Sequence, residues 1–311
     1  FVHEVRRRDA LVHTTRRARA QIQPPQRACV HDGAITRSNT MRRRAPKSPL
    51  LLLLLCHAAR ATYDAARNTS SFRVTSRAIN DAAWRAHLEL QQSKFRQSDA
   101  IRLKIMAIDV GRQDQVARQF AASARDGTAG IRSFKGVPVL CLGARLGGEV
   151  RAFKSLGALA IGVDFEPGQD SMDVLAGDFE NLAFAEATFK YAYSNVLDHL
   201  HDLRRFASEA CRVLKPGGTF FAALFSGRGD RWNGRQGVSA DAYGPLVDAM
   251  QAGGMFALAA TTQIRETMHV RQLVRAVQPG FTGSLQQFLP WQQELKTLYF
   301  RRASNSCSAA S

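Results

Sequence analysis

From Val137 onward the chain alternates short apolar runs with segments of helix length. Val137-Pro138-Val139-Leu140-Cys141-Leu142 ends at Gly143, Ala158 to Val163 ends at Asp164, and Phe189 to Tyr193 ends at Ser194-Asn195. Met172 to Leu175 and Thr219 to Phe225 complete the series. Runs that are apolar at consecutive positions suit strands buried on both faces, and such strands separated by helical segments build βαβ units with a parallel sheet. The pattern predicts an α/β, doubly wound domain whose ligand sits outside the carboxyl ends of the strands. The sequence puts Gly143, Asp164, Asp178 and Asn195 there.

The flanks are less regular. Asp241 to Ala252 reads as a helix stopped by Gly253-Gly254, and Met255 to Thr261 and Leu295 to Phe300 read as a last pair of strands. Between Ile79 and about Ala124, apolar positions such as Trp84, Leu88, Leu103, Ile105 and Met106 recur at mixed spacings, which predicts helices ahead of the core.

Charge alters this picture at one end only. The 311 residues carry a net charge of +17, of which residues 1 to 134 hold a surplus of +15 and residues 135 to 301 a surplus of +1. That distribution describes a basic leader or arm, not a basic groove. Residues 1 to 40, with Arg6-Arg7-Arg8, Arg16-Arg17 and Pro24-Pro25, show no hydrophobic period and are expected to be disordered or to precede the translated chain. From Met41, a basic stretch (Arg42-Arg43-Arg44, Lys47), the Leu50 to Leu55 run and Ala59-Arg60-Ala61 have the order of a secretory signal peptide. An Arg-rich, acid-poor leader describes an organellar transit peptide equally well, and a cytoplasmic protein with a misplaced start is the third reading. The run is short of the roughly 20 residues of a membrane-spanning helix, so no stable membrane span is expected. Asn68-Thr69-Ser70 is a glycosylation sequon that matters on the secretory reading alone. The expected parts are a leader over 1–61, a linker and N-terminal helices over 62–130, the α/β domain over 131–302 and a disordered tail over 303–311. The five cysteines include no C-x-x-C pair and no zinc spacing, so no metal site is expected. Their odd number predicts reduced thiols, with Cys141 and Cys211 as small core residues.

Chemistry enters at the strand ends. Gly143-Ala144-Arg145-Leu146-Gly147-Gly148 joins the first strand to a helix, where glycines let backbone N–H groups come close to a ligand. The spacing is not the G-x-G-x-x-G of a pyrophosphate-binding fingerprint, which disfavours a dinucleotide. Asp164 follows about 20 residues on, where a carboxylate can accept the hydroxyls of a ribose. Asp178 with Phe179 offers an acceptor for an adenine amine and an aromatic cover for its ring; the plainer alternative for Asp178 is a helix cap.

These residues resemble the motifs of the class I S-adenosylmethionine-dependent methyltransferases. Val139 to Gly147 resembles the first motif, Ile161-Gly162-Val163-Asp164 the acidic end of the second strand, and Gly177-Asp178-Phe179 the adenine motif. Tyr191-Ala192-Tyr193-Ser194-Asn195 resembles the fourth-strand motif, and Arg212-Val213-Leu214-Lys215-Pro216-Gly217-Gly218 the turn before the fifth strand. The resemblance spans about Val137 to Phe225. It implies a Rossmann-like, seven-stranded methyltransferase sheet and S-adenosyl-L-methionine as cofactor. The implied cofactor contacts are Gly143, Ala144, Gly147, Asp164, Phe165, Asp178, Phe179 and Ser194. The chain departs from the family at Cys141, where an acidic residue is usual, and at Arg145, where a glycine is usual. Glu149 is a candidate for the missing carboxylate near the methionine amino group; the alternative is a solvent-facing Glu that favours the helix dipole.

A sulfonium methyl is already activated, so positioning and water exclusion do most of the work, and a base is needed only for a protonated nucleophile. Asn195, Asp198 and His199 are the catalytic candidates, with Asp198-His199 as base for an oxygen nucleophile; the alternative is a capping Asp and a surface His. Asn195 lacks the following Pro-Pro-aromatic of amino-group methylases acting on DNA or glutamine. Ser226 to Gly234 is a polar loop suited to a substrate lid. The expected acceptor is a small molecule or glycan. The alternatives are RNA held by the basic arm and a non-catalytic relative that binds the cofactor.

Overall fold

The computed structural model describes residues 98–303 and 307, apart from 169–170, 227–236, 287 and 289, together with residues 82, 85, 86, 89 and 93, which are helical. The leader, the sequon, most of the expected lid and most of the tail lie outside the described residues.

In chain order the elements are α1 (Asp99–Asp126), β1 (Pro138–Leu142), α2 (Gly148–Ser155), β2 (Leu159–Asp164), β3 (Val174–Ala176) and β4 (Phe189–Ser194). They continue with α3 (Leu203–Val213), β5 (Leu214–Phe225), α4 (Gly244–Gln251), β6 (Phe256–Met268), α5 (Val270–Val277) and β7 (Trp291–Arg302). The sheet has seven strands in the order β3-β2-β1-β4-β5-β7-β6. Strands β1 to β5 pair in parallel, and β7 enters antiparallel between β5 and β6. The doubly wound domain read from the apolar runs is the observed fold.

Consecutive strand residues point to opposite faces. Leu140, Leu142, Ala192, Phe220 and Ala222 pack under α3 and α4. Val139, Cys141, Tyr191, Tyr193 and Phe221 pack under α1 and α2 with Phe120 and Phe153. A smaller cluster of Ala107, Met268, Val270, Val274 and Phe288 ties α1 to α5.

The structure bears out the expected helices ahead of the core and corrects the sequence reading in four places. The expected N-terminal helices include one continuous 28-residue helix, capped by Ser98, whose Oγ accepts the Ile101 amide. Strand β3 begins at Val174, with Met172 exposed. The Pro216-Gly217-Gly218 turn lies within the span of β5: Phe189 pairs with Leu214 and Tyr191 with Thr219, so the residues between bulge out. Strands β6 and β7 run 13 and 12 residues, longer than their apolar segments; β6 is the edge strand, and its open face tolerates polar residues at alternate positions. Finally, Cys211 is joined to Cys307 in a disulfide, Cα to Cα 5.5 Å, where reduced thiols were expected. Cys307 packs half-buried against the core cluster around α3. Among the described residues no helix is long and apolar enough to cross a membrane.

Candidate functional site

Strands β2, β1 and β4 end level with one another: Leu142 pairs with Val163 on one side and with Ser194 on the other. The turns leaving these three ends therefore converge. Gly143 holds a left-handed φ of +73°, and a Cβ there would lie 2.0 Å from Val196 Cγ2, so only glycine allows the turns after β1 and β4 to meet.

The amides of this loop are used within the protein. Gly143 and Ala144 both donate to the Val163 carbonyl (2.7 and 3.2 Å), Arg145 to Asp164 Oδ2 (3.1 Å), Gly147 to the Ala144 carbonyl (2.5 Å) and Gly148 to Asp109 Oδ1 (3.0 Å). These five amides thus have partners within the protein. The loop folds onto the end of β2 and onto α1, which spends its donors. A polyphosphate finds little to bind here, whereas carboxylates surround the loop.

Asp164 accepts a second amide, that of Glu166, at Oδ1 (2.9 Å), and Arg145 pairs with Glu166 across the two loops at 3.3 Å. Burial pushes the Asp164 carboxyl up, against the Glu166 amide bond, the Arg145 charge and the Arg145 amide bond. Glu149 turns inward and is 4% exposed, with Oε1 accepting from Asn195 Nδ2 at 2.7 Å. Its carboxyl is pushed up by burial, opposed by the Arg112 guanidinium of α1. The solvent-facing alternative for Glu149 is thereby removed. Cys141, beneath it, is buried, and burial followed by the Glu149 charge pushes its thiol well up, as suits a core residue.

Phe165 is half-buried, 6.2 Å from the Phe179 ring. Phe179 is buried and also meets Phe206 edge-on at 6.1 Å. Asp178 is buried and accepts the Glu180 amide at Oδ1 (2.7 Å). Glu180, which the sequence reading missed, accepts the His201 and Asp202 amides at Oε1 (2.7 and 3.0 Å) and so fixes the entry to α3. Ser194 is buried and donates to the Leu142 carbonyl (3.1 Å), cross-linking β4 to β1. Asp198 and His199 lie in the short turn after β4, with Oδ2 and Nε2 3.9 Å apart, beyond hydrogen-bonding distance. Asp202, not Asp198, is the cap of α3, accepting the Arg205 amide.

A cavity of about 620 Å³ opens on the other side of the loop, between α1, the turns after β1 and β2, and α5. Arg102, Met106, Asp109, Leu146, Glu166 and Val277 are among its walls; Asn195, Asp198 and His199 are not. Two contributors from α1, Asp109 and Arg112, lie outside every motif of the sequence. Gly148, a second glycine after the turn glycine Gly147, marks the close approach of another segment without saying which one. A Cβ at Gly148 would lie 2.6 Å from Asp109 Oδ1 and 2.7 Å from the Asp109 carbonyl oxygen.

Residues 140–222 match a family model described as a methyltransferase domain. The match falls within the segment that resembles the class I methyltransferases, and the seven-stranded sheet around it is the one the resemblance implied. The search of curated proteins finds no match. Among solved structures the chain is similar to a putative methyltransferase from Bacillus halodurans, with 14% identity over 59% of this chain and 98% of that one and a TM-score of 0.40. It is similar also to a putative methyltransferase of Haloferax volcanii solved with the Trm112 activator (19% identity, 63% and 96% covered, TM-score 0.39). A third is geranyl diphosphate C-methyltransferase from Streptomyces coelicolor (17% identity, 59% and 76% covered, TM-score 0.39). These distant likenesses add nothing about the ligand.

Proposed function

We propose that the protein transfers a methyl group from S-adenosylmethionine to a small-molecule or glycan-type acceptor. The observation that carries this reading is the chemistry of the donor set. Asp164, Glu149 and Asp178 stand at the converging strand ends, beside a loop whose amides are spent within the protein. Carboxylates beside a loop whose amides at Gly143, Ala144, Arg145, Gly147 and Gly148 are engaged within the protein suit a cationic nucleoside that has no phosphate. Asp164 would hold the ribose hydroxyls, Asp178 the adenine amine and Glu149 the ammonium group. When bound, the cofactor supplies a methyl on a positively charged sulfur, which the acceptor's lone pair displaces in line.

The residues of the chain then have three tasks. Glu149 orients the Asn195 amide at the end of β4. The Arg145–Glu166 pair ties together the loops after β1 and β2. Asp198 and His199, on the turn after β4, serve as base if the acceptor is a hydroxyl. The surplus of only +1 over residues 135 to 301 favours a small molecule or glycan over nucleic acid.

The test is calorimetric titration of the full chain with S-adenosylmethionine and S-adenosylhomocysteine, beside Asp164→Ala. Binding that the substitution weakens about tenfold or more, about 1.4 kcal/mol, is expected. A folded protein that binds neither would overturn the cofactor reading and favour a scaffold relative whose site has lost its ligand, to which Cys141 and Arg145 at family positions point.

The same proposal places the protein in the secretory pathway. The leader from Met41 fits this reading and an organellar one equally, and the Cys211–Cys307 disulfide favours the secretory one, since such bonds persist in oxidising compartments.

A further inference from the structure

The cofactor loop is held from outside the methyltransferase segment. Asp109 of α1 reaches the start of α2, where Oδ1 accepts the Gly148 amide at 3.0 Å and Oδ2 meets the Arg151 guanidinium at 2.5 Å. Arg151 does not stop there: its Nη1 donates to the Leu146 carbonyl at 2.7 Å, inside the loop, and its Nε to Gln113 Oε1 at 2.9 Å, back on α1. One carboxylate and one guanidinium thus close a ring from α1 through the loop to α2 and back. The glycine at 148 is what lets the ring close, because a Cβ there would overlap both the Asp109 side chain and its backbone oxygen. The seat at the amino end of α2, which takes a pyrophosphate in dinucleotide-binding folds, is filled by the protein's own carboxylate.

We propose that Asp109 is a positioning residue for the cofactor loop, acting through Gly148 and Arg151, so that cofactor affinity is set by α1. This rests on the S-adenosylmethionine reading for its affinity readout but not for its structural one. Asp109 touches neither cofactor nor acceptor in this scheme; it fixes the Gly143–Gly148 turn that carries the Arg145 amide to Asp164. Burial pushes the Asp109 carboxyl up, and the Arg151 charge and the Gly148 amide oppose it without reversing it.

The experiment uses the full chain as wild type, Asp109→Ala and Asp109→Asn. Binding of S-adenosylhomocysteine is measured by calorimetry, and amide hydrogen exchange is followed by mass spectrometry over peptides covering 143–149. Asp109→Ala is expected to weaken binding by about tenfold or more, as for loss of a charged hydrogen bond, and to speed exchange of the loop amides. Asp109→Asn keeps an acceptor for Gly148 and is expected to restore most of the amide protection and part of the affinity, a rescue that a general loss of packing would not give. Unchanged affinity and unchanged exchange in folded Asp109→Ala overturn the proposal. If the wild type itself binds no S-adenosylhomocysteine, the cofactor reading falls, and the exchange data alone decide the positioning role. If Asp109→Ala does not fold, Arg151→Ala, which removes the other half of the ring, is read in the same two ways.

Discussion

Glu180 shows how a single side chain ties the fold to pH. It is 3% exposed, holds the amides of His201 and Asp202, and its carboxyl is pushed up to about 7, from 4.5, mainly by burial. A carboxyl whose folded pKa is raised favours the fold most below 4.5, and that contribution is lost as pH rises through about 7. The full difference amounts to about 3 kcal/mol by the rule of 1.4 kcal/mol per unit, as an upper figure. Glu180→Gln keeps an oxygen for both amides and removes the charge. The gap in melting temperature between variant and wild type should therefore widen in favour of the variant from pH 5 to pH 8 and then level off. A gap that stays constant over that range would mean that Glu180 does not titrate there. Glu149 is the second buried carboxylate of this kind, also pushed up by burial, but Arg112 and Asn195 hold it from two sides. Its charge is compensated where that of Glu180 is met by amides alone among its stabilising partners.

At the scale of elements, α1 is the piece that both the site and the core depend on. Phe120 is fully buried and meets Phe221 at 4.7 Å, Phe153 at 5.0 Å, Tyr193 at 5.7 Å and Phe134 at 5.9 Å. Phe120→Ala would empty the centre of that cluster and is expected to cost about 3–5 kcal/mol, read as a lower midpoint in urea unfolding. A loss under about 1 kcal/mol would show that the cluster closes over the gap. This dependence was hard to see in the sequence. The central strands were legible because β1, β2, β4 and β5 each carry a run dominated by apolar residues at consecutive positions, as a doubly covered sheet demands. Helix α1 lacks such a sign: Leu103, Ala107, Val116, Phe120 and the polar Gln115 and Ser123 are all buried, so its inward face is not written in hydrophobicity alone. Strand β6 was half-read for a related reason, since its outer face is open and polar residues such as Thr261, Gln263 and Arg265 fit it. At the site, Asp164, Asp178 and Asn195 could be placed from strand ends and motif order. Glu149 was ambiguous because a first-turn Glu serves a helix dipole as readily as a buried partner. Asp109 was invisible because its partner, Gly148, lies 39 positions away.

At the scale of the whole molecule, the disulfide changes what holds the carboxyl-terminal half. Cys211 lies in the last turn of α3, and Cys307 follows β7, 96 positions later. The bond closes a loop containing β5, α4, β6, α5 and β7, which is every element that flanks β4 on its outer side. Closing a loop of that length restricts the unfolded chain by an amount worth about 2–4 kcal/mol in typical cases. For a chain of this size that corresponds to roughly 5–15 °C in melting temperature. Helix α3 starts beside the turn after β4 and runs back along the sheet, so the staple sits at the end opposite the converging strand ends. Reduction should therefore lower the melting temperature without altering cofactor affinity measured well below it. Cys307→Ser should melt where the reduced wild type does and should not respond to dithiothreitol. The bond also bears on where the protein is made. Two thiols give up two protons and two electrons to a disulfide donor, a protein or glutathione disulfide, which is reduced in turn, and secretory compartments keep such donors available. Peptide mapping under non-reducing conditions, on protein alkylated in intact cells, should recover the Cys211 and Cys307 peptides as one linked species. Recovery of both as alkylated thiols from native protein would argue against the secretory assignment and would leave α3 to hold the tail by packing alone.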